Sequence, residues 1–210
     1  MPEITSPKIS FIALYLTALR FYITGLLLLW SSYQYSNWLI QQLIPLYTWM
    51  IKTLDYRLDQ VMLNIVIEHQ QAFLNLQTRL SQPFIVDTQT ITLTVPIVSG
   101  GKMPLGYALI PVVVIFTMVI AWPAKHRMTY LYRCLLAVPL MLIILLFDIP
   151  IQLLNMAWQG FNALLQLSPT GSLKYMGYWS DFLNGGGLIA VSISVGLVVV
   201  GMIDYWQTKK

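Results

Sequence analysis

The pattern of apolar and polar positions divides the chain into long apolar runs separated by polar stretches. The clearest run extends from Met103 to Trp122, twenty residues without a charged side chain. At about 1.5 Å of helix rise per residue, this run has the length needed to cross a hydrocarbon core about 30 Å thick. It predicts a membrane-spanning helix, followed by a basic loop that contains Lys125, His126, Arg127 and Arg133.

The first apolar region, residues 9–44, is longer than one span and is interrupted by Arg20. A span over residues 9–30 would place Arg20 near mid-membrane, where an arginine costs about 2.5–3.5 kcal/mol. A span over residues 18–40 places it near the cytoplasmic edge, where its side chain can reach the headgroups. We choose the second placement, with residues 9–18 along the cytoplasmic interface. Four aromatic residues are then predicted to anchor the helix in the outer interface rather than to form a ligand cage: Trp30, Tyr33, Tyr35 and Trp38.

Residues 45–102 form the main polar region, which Pro45 opens. The pattern predicts a helical extension to about Asp59 and then a small sheet of about three strands. The candidate strands are Leu63–Ile67, Phe73–Leu76 and the alternating Ile91–Val95, and Ser99–Gly101 is predicted to be the closing turn.

After the basic loop, a third span is predicted over residues 131–147. The next segment, residues 149–167, carries amides at intervals of three and four residues, which place them in one stripe of a helix. These amides are Gln152, Asn155, Gln159, Asn162 and Gln166. A helix lying in the outer interface is the preferred interpretation, and a packed re-entrant or spanning helix is the alternative.

A last span is predicted over residues 188–203, entered through the flexible Asn184–Gly187 segment. Small residues stand four apart in it, at Ala190 with Ser194 and at Ser192 with Gly196. Such pairs let another helix approach closely. Together with the amide stripe, these four residues are the predicted interface for a partner protein.

The positive charges orient these spans. With both termini and the basic loop inside, seven bases lie on the cytoplasmic side against Glu3 and Asp204, whereas the outer segments hold five bases against six acids. This arrangement satisfies the positive-inside rule. The bases that orient the chain are Arg20, Lys125, Arg127, Arg133, Lys209 and Lys210.

The predicted fold is therefore a mainly α membrane protein with about four transmembrane helices, a small extracytoplasmic β-containing segment and an interfacial amphipathic helix. Its regions are residues 1–44, with an interfacial segment and the first span, residues 45–102, with the sheet, and residues 103–210, with three spans. The first apolar segment is expected to be retained rather than cleaved, because no cleavage-site pattern follows a short apolar core.

Composition agrees with a multi-pass membrane protein. Hydrophobic residues make up 57% of the chain and charged residues 10%, and the mean hydropathy is +0.68. The net charge of +4 is spread along loops rather than clustered on one face, so nucleic acid is not an expected partner. A single cysteine, Cys134, excludes an internal disulfide framework.

Candidate catalytic residues are few. Cys134 and His126 stand eight residues apart, one in a span and one in a loop, so they do not indicate a preformed dyad. His69 and Glu68 are adjacent in a predicted strand and would point to opposite faces. Two distant histidines do not form a zinc site. We therefore expect no catalytic residue, no metal site and no cofactor.

Two carboxylates, Asp148 and Asp181, stand nearest the outer membrane edge. Ionisable groups inside a membrane tend to be functional, which suggests a proton or ion pathway. Because both lie at segment ends, the alternative is that they simply face water or headgroups.

The order of parts resembles that of the exosortase H-associated membrane proteins of Gram-negative bacteria. The similarity rests on Arg20-Phe21 opening an apolar span that ends near Trp30, on the polar outer segment, and on the motif P-L-x-Y-x-x-x-P from Pro104 to Pro111, which Met103 precedes where asparagine is expected. The resemblance implies a multi-pass protein of the bacterial inner membrane with an accessory role beside an exosortase-like enzyme.

The leading hypothesis is a non-enzymatic integral membrane accessory or structural subunit. Its expected partners are the lipid bilayer and another integral membrane protein. Two alternatives stay open: a structural subunit of an energy-transducing or pigment-bearing complex, and a component of a small ion or solute transporter.

Overall fold

The structure is a computed structural model that describes residues 11–80, 84–86, 89–91, 95–124, 126–166 and 172–209. Long helices dominate it, and a small sheet covers one end of them. The helices are α1 (Phe11–Leu54), α2 (Leu105–Ala108), α3 (Ile110–Ala121), α4 (Arg127–Leu165), α5 (Ser172–Phe182) and α6 (Leu188–Thr208). The strands are β1 (Leu58–Glu68), β2 (Gln71–Leu80), β3 (Phe84–Val86), β4 (Gln89–Ile91) and β5 (Ile97–Pro104).

Within the described residues, three helical stretches are long and apolar enough to cross a membrane: Leu14–Leu54, Arg127–Leu165 and Lys174–Thr208. The membrane character predicted from the sequence is therefore supported at this coarse level. The predicted central span, residues 103–122, is not one of these three helices. Its first two residues end β5, and the helix from Leu105 to Ala121 is shorter, about 25 Å long at the usual rise per residue. This helix is interrupted at Leu109, just before Pro111, whose nitrogen has no hydrogen to donate.

The first helix extends past residue 44 into the polar region, as predicted, but ends earlier than expected. It continues through Pro45 and ends at Leu54, rather than near Asp59. At 44 residues it is about 66 Å long, twice the thickness of a hydrocarbon core. The boundary drawn at residue 45 consequently falls inside a helix.

The predicted third span and the predicted interfacial helix are one continuous helix, α4, which contains Pro139 and Pro150. The prediction of a separate interfacial helix over residues 149–167 is therefore wrong. The second half of α4 is amphipathic as predicted, but its apolar side is covered by protein. Leu154, Trp158 and Phe161 are at most 1% exposed.

A three-stranded antiparallel sheet with the order β1-β2-β5 confirms the prediction of a small sheet. The predicted strands Leu63–Ile67 and Phe73–Leu76 lie within β1 and β2. The third strand was predicted wrongly, because Ser99–Gly101 lies inside β5 and is not a turn. Of the predicted strand Ile91–Val95, Ile91 ends β4, and residues 92–94 lie outside the described residues.

Glycines in β5 serve close packing. A Cβ atom on Gly100 would overlap the carbonyl oxygen of Leu76 in β2, and one on Gly101 would lie 2.7 Å from Cβ of Met156 in α4. Ser99 Oγ donates a hydrogen bond of 2.8 Å to the carbonyl oxygen of Ala157. The strand therefore lies directly against α4, which is possible because Gly101 lacks a side chain, and Gly100 permits the close approach to β2.

Contacts between the helices show which helix ends lie together. Phe21 near the start of α1 packs edge-to-face on Trp122 at the end of α3, with 6.2 Å between ring centroids. Thr129 Oγ1 donates to Gln207 Oε1 at 2.7 Å, which joins the start of α4 to the end of α6. One end of the bundle, called the loop end here, thus holds the beginning of α1, the α3–α4 loop and the end of α6. The sheet and α5 lie at the opposite end, called the sheet end.

Candidate functional site

Polar side chains on α4 form three separate groups along the helix. The group nearest the loop end is built on Arg133, whose side chain is fully buried. Its Nη2 lies 2.5 Å from Oδ1 of Asp204 in α6, and its Nη1 donates to the carbonyl oxygen of Trp122 at 2.9 Å. Sequence analysis treated Arg133 as an orienting base of the loop. The structure instead makes it a buried bridge between α3, α4 and α6, because the end of α6 supplies its counter-charge.

The other orienting bases are more exposed. Arg20, Arg127 and Lys209 all lie on the surface near the loop end, and Lys209 Nζ stands 4.6 Å from the centre of the Tyr205 ring. Lys125 and Lys210 lie outside the described residues. The described bases of the predicted inner set therefore share one end of the bundle.

The middle group surrounds Asp148, which is 3% exposed. Gln152 Nε2 donates to Oδ1 of Asp148 at 2.8 Å and to the hydroxyl oxygen of Tyr107 at 2.7 Å. Oδ2 of Asp148 and the hydroxyl of Tyr47 are buried, and neither has a hydrogen-bond partner among the residues that the structure describes. The expectation that Asp148 faces water or headgroups is wrong, since α1 and α2 cover it. Asp181, in contrast, is exposed.

The third group joins the sheet end of α1 to α4. Asp55 is 2% exposed and receives two hydrogen bonds from the guanidinium of Arg57, at 2.7 and 2.8 Å. Trp158 Nε1 donates to Oδ2 of Asp55 at 2.6 Å, and the guanidinium carbon of Arg57 lies 4.3 Å from the centre of the Trp158 ring. This bidentate pair stacked on an indole fixes the end of α1 against α4 and beneath the sheet.

The amide stripe divides between interior and surface. Gln152 and Asn155 are buried, Asn162 is half-buried, and Gln159 and Gln166 are exposed. Gln166 ends α4 in the left-handed conformation, with a φ of 55°. The stripe does not form one solvent-facing surface, because its first residue serves the Asp148 group.

The middle of the stripe lines an open groove between α4 and α5, with a cavity volume of about 420 Å³. Lys174 and Asp181 supply opposite charges to it, and Trp158 and Tyr178 supply ring surfaces. Gly177 in α5 faces Asn155 across it, so α5 adds no bulk at that point. We call this feature the amide groove; its polar lining is Asn155, Gln159, Asn162, Lys174, Tyr178 and Asp181.

The small residues of α6 also divide into two pairs. Ser192 and Gly196 are buried, and a Cβ atom on Gly196 would lie 2.7 Å from Cβ of Met118 in α3. This pair packs within the chain instead of facing a partner protein. Ala190 and Ser194 are exposed on the outer side of α6, where Ser194 Oγ donates to the carbonyl oxygen of Ala190 at 2.8 Å.

No three His, Cys, Asp or Glu side chains come together in a metal-binding arrangement within the described part of the chain. Cys134 is partly buried on α4, and His126 is exposed just before that helix begins.

Sequence analysis missed Asp55, Arg57, Tyr47 and Tyr107 as members of polar groups. A local signal existed only for the middle group, where Asp148 and Gln152 stand four residues apart on one helix and can bond to each other. Asp55 and Trp158 are 103 residues apart, and no local pattern connects them.

Comparisons of this chain with protein-family models, curated proteins and solved structures find no match.

Proposed function

We propose that the chain is a non-enzymatic accessory subunit of a membrane complex, which binds another integral membrane protein at its sheet end. The observation that carries this proposal is the amide groove. Amide side chains both donate and accept hydrogen bonds, so Asn155, Gln159 and Asn162 can pair with the backbone or the polar side chains of a protein segment. Tyr178 and Trp158 add aromatic surface of the kind that anchors protein interfaces.

The groove is held on a rigid support. Trp158 forms its floor and is tied to Asp55 and Arg57 on the other side. A preformed surface loses less conformational entropy on binding than a mobile one. A second contact with the partner would use Ala190 and Ser194, whose small side chains let a neighbouring membrane helix approach closely.

In the proposed arrangement the protein lies in a bacterial inner membrane, with both termini in the cytoplasm and the sheet outside. The exposed bases at the loop end support this orientation. The resemblance noted above suggests an exosortase-like enzyme as the partner.

Orientation can be tested by cysteine labelling. Gln70 lies in the turn between β1 and β2, and Met128, 63% exposed, lies near the start of α4. In a Cys134→Ala background, Gln70→Cys should react with an impermeant maleimide in cells whose outer membrane has been permeabilised. Met128→Cys should react only after the inner membrane is disrupted. Labelling of both from the same side would contradict the topology.

Partner binding can be tested with a photo-crosslinking amino acid at Gln159 in the groove. The matched control places it at Leu135, which is 71% exposed on α4 near the loop end. We expect a defined protein adduct from position 159 that Asn162→Leu reduces, and none from position 135. Equal adducts at both positions would indicate collision in the membrane and would contradict the proposal. An absorbing chromophore retained by the protein in mild detergent would instead favour a pigment-bearing complex.

A further inference from the structure

The Asp148 group contains a carboxyl group that pairs with no basic side chain of the described residues. Its contacts in the described residues are with Gln152 from its own helix, while the hydroxyls of Tyr47 on α1 and Tyr107 on α2 lie within electrostatic range. All three neighbours are uncharged at neutral pH. An isolated carboxylate in such surroundings is strongly unfavourable, and the usual result is that the group takes up a proton.

One oxygen of this carboxyl group, Oδ2 of Asp148, is buried without a hydrogen-bond partner among the described residues. A proton on Oδ2 removes the negative charge, so that no unpaired ion is left in the interior. Oδ1 remains an acceptor and keeps its hydrogen bond from Gln152 Nε2.

We propose that Asp148 is a proton-binding site in the helix bundle, with its carboxyl group neutral at neutral pH and hydrogen-bonded to Gln152. The site is independent of the amide groove and of any partner. Through Gln152 it reaches Tyr107, which follows β5 by three residues. Loss of the proton would place a negative charge beside Tyr107, at the point where the sheet joins the bundle.

Infrared spectroscopy of the purified protein in detergent tests this proposal. Wild-type protein at neutral pH should show the carbonyl stretching band of a protonated carboxylic acid. The band should shift when aspartates are labelled with ¹³C, which identifies it without a substitution. It should disappear in Asp148→Asn and remain in the matched control Asp181→Asn, since Asp181 is exposed.

The hydrogen bond from Gln152 is tested by Gln152→Leu, which should move the band to higher wavenumber because a hydrogen bond to the carbonyl oxygen of the acid is lost. Gln166→Leu is the control, since Gln166 is exposed. Absence of the band in wild-type protein, or its persistence in Asp148→Asn, would overturn the proton site. An unchanged band in Gln152→Leu would overturn the assignment of Gln152 as its hydrogen-bond partner.

Discussion

The helices α1 and α4 have similar lengths and compositions, yet they occupy different places in the molecule. Both are about 40 residues long, both are apolar and both contain proline. In the most apolar 18-residue segment of α1 no residue is buried, whereas 33% of the residues in the corresponding segment of α4 are buried. The difference lies in polar residues, because α4 carries Arg133, Asp148 and Gln152 inward. Other helices supply Asp204 as a partner of Arg133 and Tyr107 as a partner of Gln152. Within a chain so rich in apolar residues, it is the polar side chains that mark the central helix.

The largest expected effect is a direct test of this comparison with one leucine from each helix. Leu153 of α4 is fully buried beneath the sheet, and Leu27 of α1 is 60% exposed. Leu153→Ala should lower the free energy of unfolding in detergent by about 3 kcal/mol, since it leaves a cavity. Leu27→Ala should change it by less than about 0.5 kcal/mol, because that side chain faces lipid or detergent. Equal losses would mean that α4 is not the central helix.

The comparison can be sharpened at the contact that joins the two helices. Asp55→Asn keeps the shape of the side chain but removes the charge that pairs with Arg57 and accepts from Trp158. We expect the free energy of unfolding to fall by about 2 kcal/mol, the usual value for hydrogen bonds to a charged group. Near-ultraviolet circular dichroism should also change as Trp158 loosens. Asp181→Asn, at an exposed site, is the control and should leave both measurements unchanged.

The next largest effect on the free energy of unfolding is expected where α6 packs closely against α3. Gly196→Ala would place a Cβ atom 2.7 Å from Cβ of Met118, so α6 and α3 must separate. A loss of about 1–2 kcal/mol in the free energy of unfolding is expected from this overpacking. Gly201→Ala on the same helix meets no atom within 4 Å and serves as the control. The packing described for α6 would be refuted by equal effects of the two substitutions.

The smallest effect is expected at the sheet surface, where Lys102 pairs with Glu68. Both side chains are more than 40% exposed, so water and salt screen the pair. Glu68→Gln should change the free energy of unfolding by less than about 0.5 kcal/mol, and added salt should remove the difference. If Glu68→Gln lowered the free energy of unfolding as much as Asp55→Asn, the difference in burial would not explain how much each ion pair stabilises the protein.

Sequence patterns predicted some elements better than others. The short candidate strands Leu63–Ile67 and Phe73–Leu76 lie within β1 and β2. The prediction failed for β5, because Ser99, Gly100 and Gly101 look like a turn when only their propensities are considered. Their role in the strand appears only once Leu76 and Met156 are known to lie against them.

Only part of the amide groove could be predicted from the sequence. The spacing of the amides placed them on one side of a helix, and Asn155, Gln159 and Asn162 do line one groove. Which amides are buried depends on what covers the helix. Tyr107 and α5 decide this, and both come from other parts of the chain.

The sequence by itself determined that the chain forms long apolar helices with a small sheet between the first and the second of the longest ones, because hydropathy and periodicity are properties of neighbouring residues. Only the tertiary structure decided that Arg133 and Asp148 are interior groups and that Trp158 binds Asp55. A buried polar side chain needs a partner, and here those partners lie as far as 103 residues away along the chain. Local patterns cannot specify such pairs, which form only when the helices pack together.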